Sequence, residues 1–231
     1  PIKSSAASDV YKRQVYPFLD LKPFHRAYYR VLEAFAAGRV RRLIVTMPPQ
    51  HGKSVGATTL LPAYVLGLDP DQRVAIASYS GALASKFNRR VQRIIESREY
   101  AAFFPATTIK QGSKPPSYIR TADEVEVVGR WGGLLSVGRE GSLTGNRVDC
   151  FILDDLYKDA LEANSPLVRS NCWEWYTSVV RTRMHNASPG ARGSISVGGE
   201  VFSASKFRCS QPPGGSVSSC RHSRSSSTGS R

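Results

Sequence analysis

The stretch Leu43-Ile44-Val45-Thr46-Met47-Pro48-Pro49-Gln50-His51-Gly52-Lys53-Ser54 decides how this chain folds. An apolar run leads into a tight turn, and a helix-like run from Val55 to Leu66 follows it. A strand, a turn ending in Gly-Lys-Ser and a helix make a phosphate-binding loop. The N–H groups at the start of the helix point at the anion, and the helix dipole adds to the attraction. Gln50, His51 and Gly52 would line the cradle, Lys53 would reach the β- and γ-phosphates of a nucleotide, and Ser54 would place its hydroxyl on Mg²⁺. The usual pattern G-x-x-x-x-G-K-[ST] is broken at its first glycine, where Met47 stands. Pro48 and Pro49 have no N–H to offer, so the donors begin at about Gln50.

Outward from this loop the chain reads as α/β. A helix over about 24–37 places Tyr28, Val31, Leu32 and Phe35 at helical spacing, with Gly38 as its C-terminal stop. The run 73–79 is apolar on both faces, as a buried parallel strand should be. A helix over 81–97 follows, and its Lys86, Arg89, Arg90 and Arg93 form a broad positive face. Two short runs, 117–128 and 131–137, read as a hairpin. Cys150-Phe151-Ile152-Leu153 is a further apolar strand, and a long helix starts with Ser165 as N-cap and Pro166 at its first position. Alternating strands and helices imply parallel βαβ units.

The ends have a different character. Residues 1–14 are polar and without period; they resemble vector read-through more than a folded element and are excluded from the fold as a non-native or disordered leader. Residues 15–186 form the folded domain. Residues 187–231 are rich in serine, glycine and arginine and read as disordered or out of frame, because such a stretch cannot bury enough surface to offset its ordering entropy.

The chain has 231 residues, 41% of them apolar, enough for one sizeable core. Its formal charge of +14 calls for an anionic partner larger than a nucleotide, and nucleic acid is the economical choice. The four cysteines form no CxxC pair or metal spacing, so a reducing, cytosolic setting fits, and Cys150 reads as a core residue. No apolar run approaches the roughly 18 residues of a membrane span, and no signal-peptide pattern opens the chain.

Asp154-Asp155 ends the strand 150–153. Open α/β sheets bind ligands beyond the carboxyl ends of their strands. There Asp154 would hold Mg²⁺ opposite Ser54, and Asp155 would orient and deprotonate the attacking water. His25 is either an adenine contact or a surface histidine at a helix cap. The loop 141–147 is either an approach to the phosphates, with Arg139 or Arg147 supplying positive charge to the transition state, or an ordinary glycine-rich connection. Trp131, Trp173 and Trp175 are expected in the core.

Together these residues resemble the large terminase subunit of tailed bacteriophages and prophages. The resemblance is carried by residues 24–54 (FHRAYYRVLEAFAAGRVRRLIVTMPPQHGKS), 77–95 (ASYSGALASKFNRRVQRII), 138–149 (GREGSLTGNRVD) and 151–184 (FILDDLYKDALEANSPLVRSNCWEWYTSVVRTRM). It implies a three-layer, RecA-like P-loop ATPase of the additional-strand class with a mostly parallel central sheet. It further implies ATP and Mg²⁺ as cofactors and translocation of double-stranded DNA into a procapsid. The partners implied are the small terminase subunit and the portal, a homo-oligomeric ring is implied for the intact protein, and the place of action is the host bacterial cytoplasm. Gly52, Lys53 and Ser54 then stand as phosphate-loop residues, Asp154 as the metal-binding acid, and Asp155 where many members carry a catalytic glutamate. Many members also have an arginine inside the loop, where this chain has Gln50 and His51. Its charge-stabilising arginine would have to be Arg139, Arg147 or one from a neighbouring subunit. After Pro189-Gly190 the family continues with an apolar strand ending in a Thr-Arg-Trp-like coupling motif; this chain reads ARGSISVGGEVFSASKF, without that motif, and the sheet is expected to be incomplete and the nuclease domain missing. Two alternatives stay open: another nucleic-acid-stimulated ATPase such as a helicase, and a basic DNA-binding chain with a degenerate ATP fold.

Overall fold

Strand β2 (Arg73–Ser78) shows how the molecule is layered. Val74 and Ile76 point into one apolar cluster and Ala75 and Ala77 into another, because successive side chains of a strand leave opposite faces. Its neighbour β5 (Cys150–Asp154) divides in the same way, with Cys150 and Ile152 on the first face and Phe151 and Leu153 on the second. Both faces are covered, so both strands are apolar throughout. The computed structural model describes residues 14–15, 22–110, 118–143 and 145–184, together with the backbone of Gly193–Gly198 and Ser218–Cys220.

The first face carries α1 (Pro23–Ala36), the helix after the loop, and α3 (Gly81–Ile95). The helix after the loop begins with a π-helical stretch, Val55–Leu60, in which the Leu61 N–H reaches back to the Gly56 carbonyl; it continues as α2 (Leu61–Leu68). A short helix, α4 (Arg98–Phe103), follows α3. On the second face lie α5 (Ala160–Asn164), α6 (Pro166–Trp175), a second π-helical stretch (Tyr176–Val180) and the one-turn α7 (Arg181–Arg183). Gly38 takes φ of 74° just past α1, a left-handed conformation that glycine adopts without a steric cost, and Ser165 accepts from the Val168 N–H to cap α6.

Between the helical layers runs a mixed, mostly parallel sheet. Among the described residues its order is β3-β4-β2-β5-β6-β1-β7, with β1 at Arg42–Thr46, β3 at Glu124–Glu126, β4 at Gly133–Gly138, β6 at Gly193–Gly198 and β7 at Ser218–Cys220. Among the described strands, only β3 on β4, the expected hairpin, is antiparallel. The carboxyl ends of β1, β2, β4 and β5 therefore share one edge.

Two expectations change. Strands β6 and β7 come from the segment 187–231, which reads from sequence as disordered or out of frame, and the rest of that segment lies outside the described residues, as does most of the leader. Strand β6 pairs in parallel with both β1 and β5. The facing edges of those strands offer rows of main-chain donors and acceptors, and pairing there needs little from side chains. Trp131 is not in the core: it sits beside the β3–β4 turn with 82% of its surface exposed. Its main chain is tied down, its N–H to Asp71 and its carbonyl to Arg73. Trp175 is buried, with its ring N–H on the Gly141 carbonyl, and Trp173 is half-buried against Tyr176. No described helix is long and apolar enough to cross a membrane.

Candidate functional site

The loop between β1 and the π-helical stretch is braced from behind by α1. The Lys22 N–H donates to His25 Nδ1 at 3.0 Å, so that nitrogen is the acceptor and Nε2 carries the proton. Nε2 then donates to the His51 carbonyl at 3.1 Å. Tyr28 Oη donates to the Lys53 carbonyl at 2.6 Å. The approach is close enough that a Cβ on Gly56 would come within 2.6 Å of the Tyr28 ring, and Gly52, at φ of 76°, uses a conformation that favours glycine. Gln50 is also left-handed, at φ of 61°. With the carbonyl side of the loop occupied, the N–H groups of Gln50, His51, Gly52 and Lys53 donate to no other main-chain group among the described residues. They form the donor set a phosphate needs at a helix N-terminus.

Asp154 and Asp155 arrive opposite this loop at the end of β5. Asp154 is fully buried, and Thr58, in the π-helical stretch, donates its hydroxyl to Asp154 Oδ2 at 2.6 Å. The other oxygen, Oδ1, is buried without a partner among the described residues. Burial raises the Asp154 carboxyl from 3.8 to about 6, and the neighbouring Asp155 pushes the same way; the Thr58 hydrogen bond, the nearby Ser54 hydroxyl and the Lys53 charge pull it down. Asp155 takes φ of 47°, uncommon for a non-glycine residue. The end of β2 holds it there: its carbonyl accepts from the Tyr79 N–H at 3.0 Å and the Ser78 hydroxyl at 3.4 Å. This turn swings the carboxylate to the loop, where Lys53 Nζ lies 3.3 Å from Asp155 Oδ1. The loop and the acids meet as expected from the strand ends.

The orphaned Oδ1 of Asp154 and the nearby Ser54 hydroxyl are hard oxygen donors that fit Mg²⁺. Among the described residues no group of three or more His, Cys, Asp or Glu forms a metal cage. Mg²⁺ commonly takes one or two protein oxygens beside water and phosphate, so the donor set present suffices.

The two arginines separate. Arg139 is on the edge of the site, just past β4, but Nη1 is bound to the Leu156 carbonyl at 2.9 Å and to Glu162 at 3.0 Å. It holds the segment after Asp155. Arg147 is on the far edge of the sheet, before β5, with Nη2 bound to Asp149 Oδ1 at 2.8 Å. The length of β5, about 16 Å, separates it from the acids, and this corrects the expectation that it serves the site of its own chain. Tyr28, expected only as a residue of the apolar helix face, and Thr58 carry no local signal for their bonds to the loop and the acid. The positive face of α3 is as expected, with Lys86, Arg89, Arg90 and Arg93 all exposed.

The family model "Terminase large subunit, T4likevirus-type, N-terminal" matches residues 44–191, from β1 through the loop, the acids and α7. The chain belongs to this terminase family. Comparison with curated proteins gives no match. Membership places this terminase chain in phage DNA packaging, and the matched span contains every residue of the loop and acid pair.

Proposed function

We propose that this terminase chain is the ATP-hydrolysing part of a DNA-packaging motor, with a RecA-like P-loop core in which β6 is the additional strand between β1 and β5. The observation that carries the reading is the meeting of Lys53 with Asp155 at 3.3 Å, and of Thr58 with Asp154, at the carboxyl edge of a parallel sheet. The free N–H groups from Gln50 to Lys53 would receive the β- and γ-phosphates. Ser54 and Asp154 would hold Mg²⁺, which neutralises phosphate charge. Lys53 would exchange Asp155 for phosphate, and this frees the Asp155 carboxylate to take a proton from water as that water attacks the γ-phosphorus in line and ADP departs. His25 and Tyr28 keep the loop in shape. The positive face of α3 would follow the backbone of double-stranded DNA, which suits a motor that must not read sequence. The small terminase subunit, the portal of a procapsid and further copies in a ring would be its partners, in the host bacterial cytoplasm.

A second reading has one observation behind it. The residues from 193 onward lack the Thr-Arg-Trp coupling motif, so the chain as given would bind nucleotide and DNA without productive turnover. Phosphate release by wild type, Lys53→Ala and Asp155→Asn separates the two. Turnover in wild type alone, with ATP still bound by Asp155→Asn, supports the enzyme. Binding of DNA with no turnover above Lys53→Ala supports the second reading.

A further inference from the structure

We infer that Thr58 is a positioning residue for Asp154, set in place by the π-helical widening after the phosphate loop. The inference rests on the nucleotide-binding reading above. A threonine inside a helix ordinarily returns its hydroxyl to the carbonyl one turn back. Thr58 instead donates to Asp154 Oδ2 at 2.6 Å, across 96 residues of sequence, and both side chains are fully buried. Thr58 lies within the stretch where the Leu61 N–H reaches Gly56 rather than a carbonyl four residues back, an arrangement frequent at functional sites.

A carboxylate is symmetric, and without a hydrogen bond to hold it its plane turns about the Cβ–Cγ axis. The Thr58 hydroxyl takes one oxygen and so fixes the plane. The oxygen left over, Oδ1, is the buried atom without a partner among the described residues. Thr58 thus decides which lone pairs Asp154 presents, and it does so from one turn beyond Ser54, on the same side of the helix. Threonine suits the position because its methyl fills a packed interior while its hydroxyl donates; valine would match the shape and lose the donor. Partners of this kind, which orient a ligand without touching the metal, commonly carry about 10- to 100-fold in metal affinity.

The test is a titration of a fluorescent ATP analogue into the full chain, once in EDTA and once in Mg²⁺, reading how much Mg²⁺ tightens binding. Thr58→Val is expected to lose about tenfold or more of that tightening while affinity in EDTA stays at the wild-type value, and Thr58→Ser is expected to restore it. Thr58→Val with full Mg²⁺-dependent tightening, or with affinity lost equally in both buffers, overturns the inference and leaves the nucleotide reading standing. If the valine variant does not fold, Thr58→Ala is judged by the same outcomes. A wild type with no affinity in either buffer overturns the nucleotide reading and this inference with it.

Discussion

Replacing Asp154 with asparagine should make the metal-free protein more stable at pH 8, and the gain should shrink as the pH is lowered. Burial holds this carboxyl at about 6 rather than 3.8, so the folded state prefers the neutral acid. Below pH 3.8 the group is neutral in both folded and unfolded chains and contributes no penalty. As pH rises the unfolded chain ionises first, stability is lost across the window from 3.8 to about 6, and above it the full penalty remains. That difference corresponds to about 3 kcal/mol at pH 8. Asparagine can still accept from Thr58 through its oxygen, but its amide then occupies the position of the orphaned Oδ1 and takes back about 1 kcal/mol. A net gain of about 2 kcal/mol raises the melting temperature by about 4–8 °C for a domain of this size. Melting followed by circular dichroism in EDTA, at pH 8 and at pH 4.5, measures it. The variant should lead at pH 8, and its lead should fall by more than half at pH 4.5. A lead that is equal at both values, or a wild type that is the more stable at pH 8, would refute the claim that Asp154 is a desolvated carboxylate. Added Mg²⁺ should raise the melting temperature of wild type and leave the variant where it is, since a cation offsets a buried charge only where there is one.

Two further outcomes test the surroundings of the site. Tyr28→Phe removes the donor to the Lys53 carbonyl and should weaken ATP binding by about 1 kcal/mol, roughly fivefold, with turnover at saturating ATP unchanged; a fall in the saturated rate at constant affinity would mean that Tyr28 does not set the shape of the loop. Charge reversal at Lys86, Arg89 and Arg93 together should weaken binding of double-stranded DNA and flatten its log–log salt dependence by roughly 3, without affecting ATP hydrolysis in the absence of DNA. Fluorescence anisotropy over a salt series reads the slope, and an unchanged slope would leave α3 as a merely solvated face.

The local pieces of this protein are legible in its amino-acid sequence. An apolar run before Gly52-Lys53-Ser54, an apolar run before Asp154-Asp155, Gly38 past a helix and Ser165-Pro166 ahead of one are signals that act within a turn or a strand. Side-chain period and turn chemistry decide them over a few residues. That both acids meet the loop also follows from sequence, once the strands are taken as parallel, because parallel strands share a carboxyl edge. The rest depends on contacts between distant segments. Arg139 and Arg147 look equivalent in a glycine-rich loop, yet the chain crosses the sheet between them and leaves one bound to the Leu156 carbonyl and the other to Asp149. Trp131 has the composition of a core residue and the position of a turn residue. Strand β6 was invisible among serines and glycines because it is held by main-chain pairing with β1 and β5, which side-chain patterns do not record. Tyr28, His25 and Thr58 acquired their roles from partners 25, 26 and 96 residues away, and no local period encodes a contact between segments so far apart.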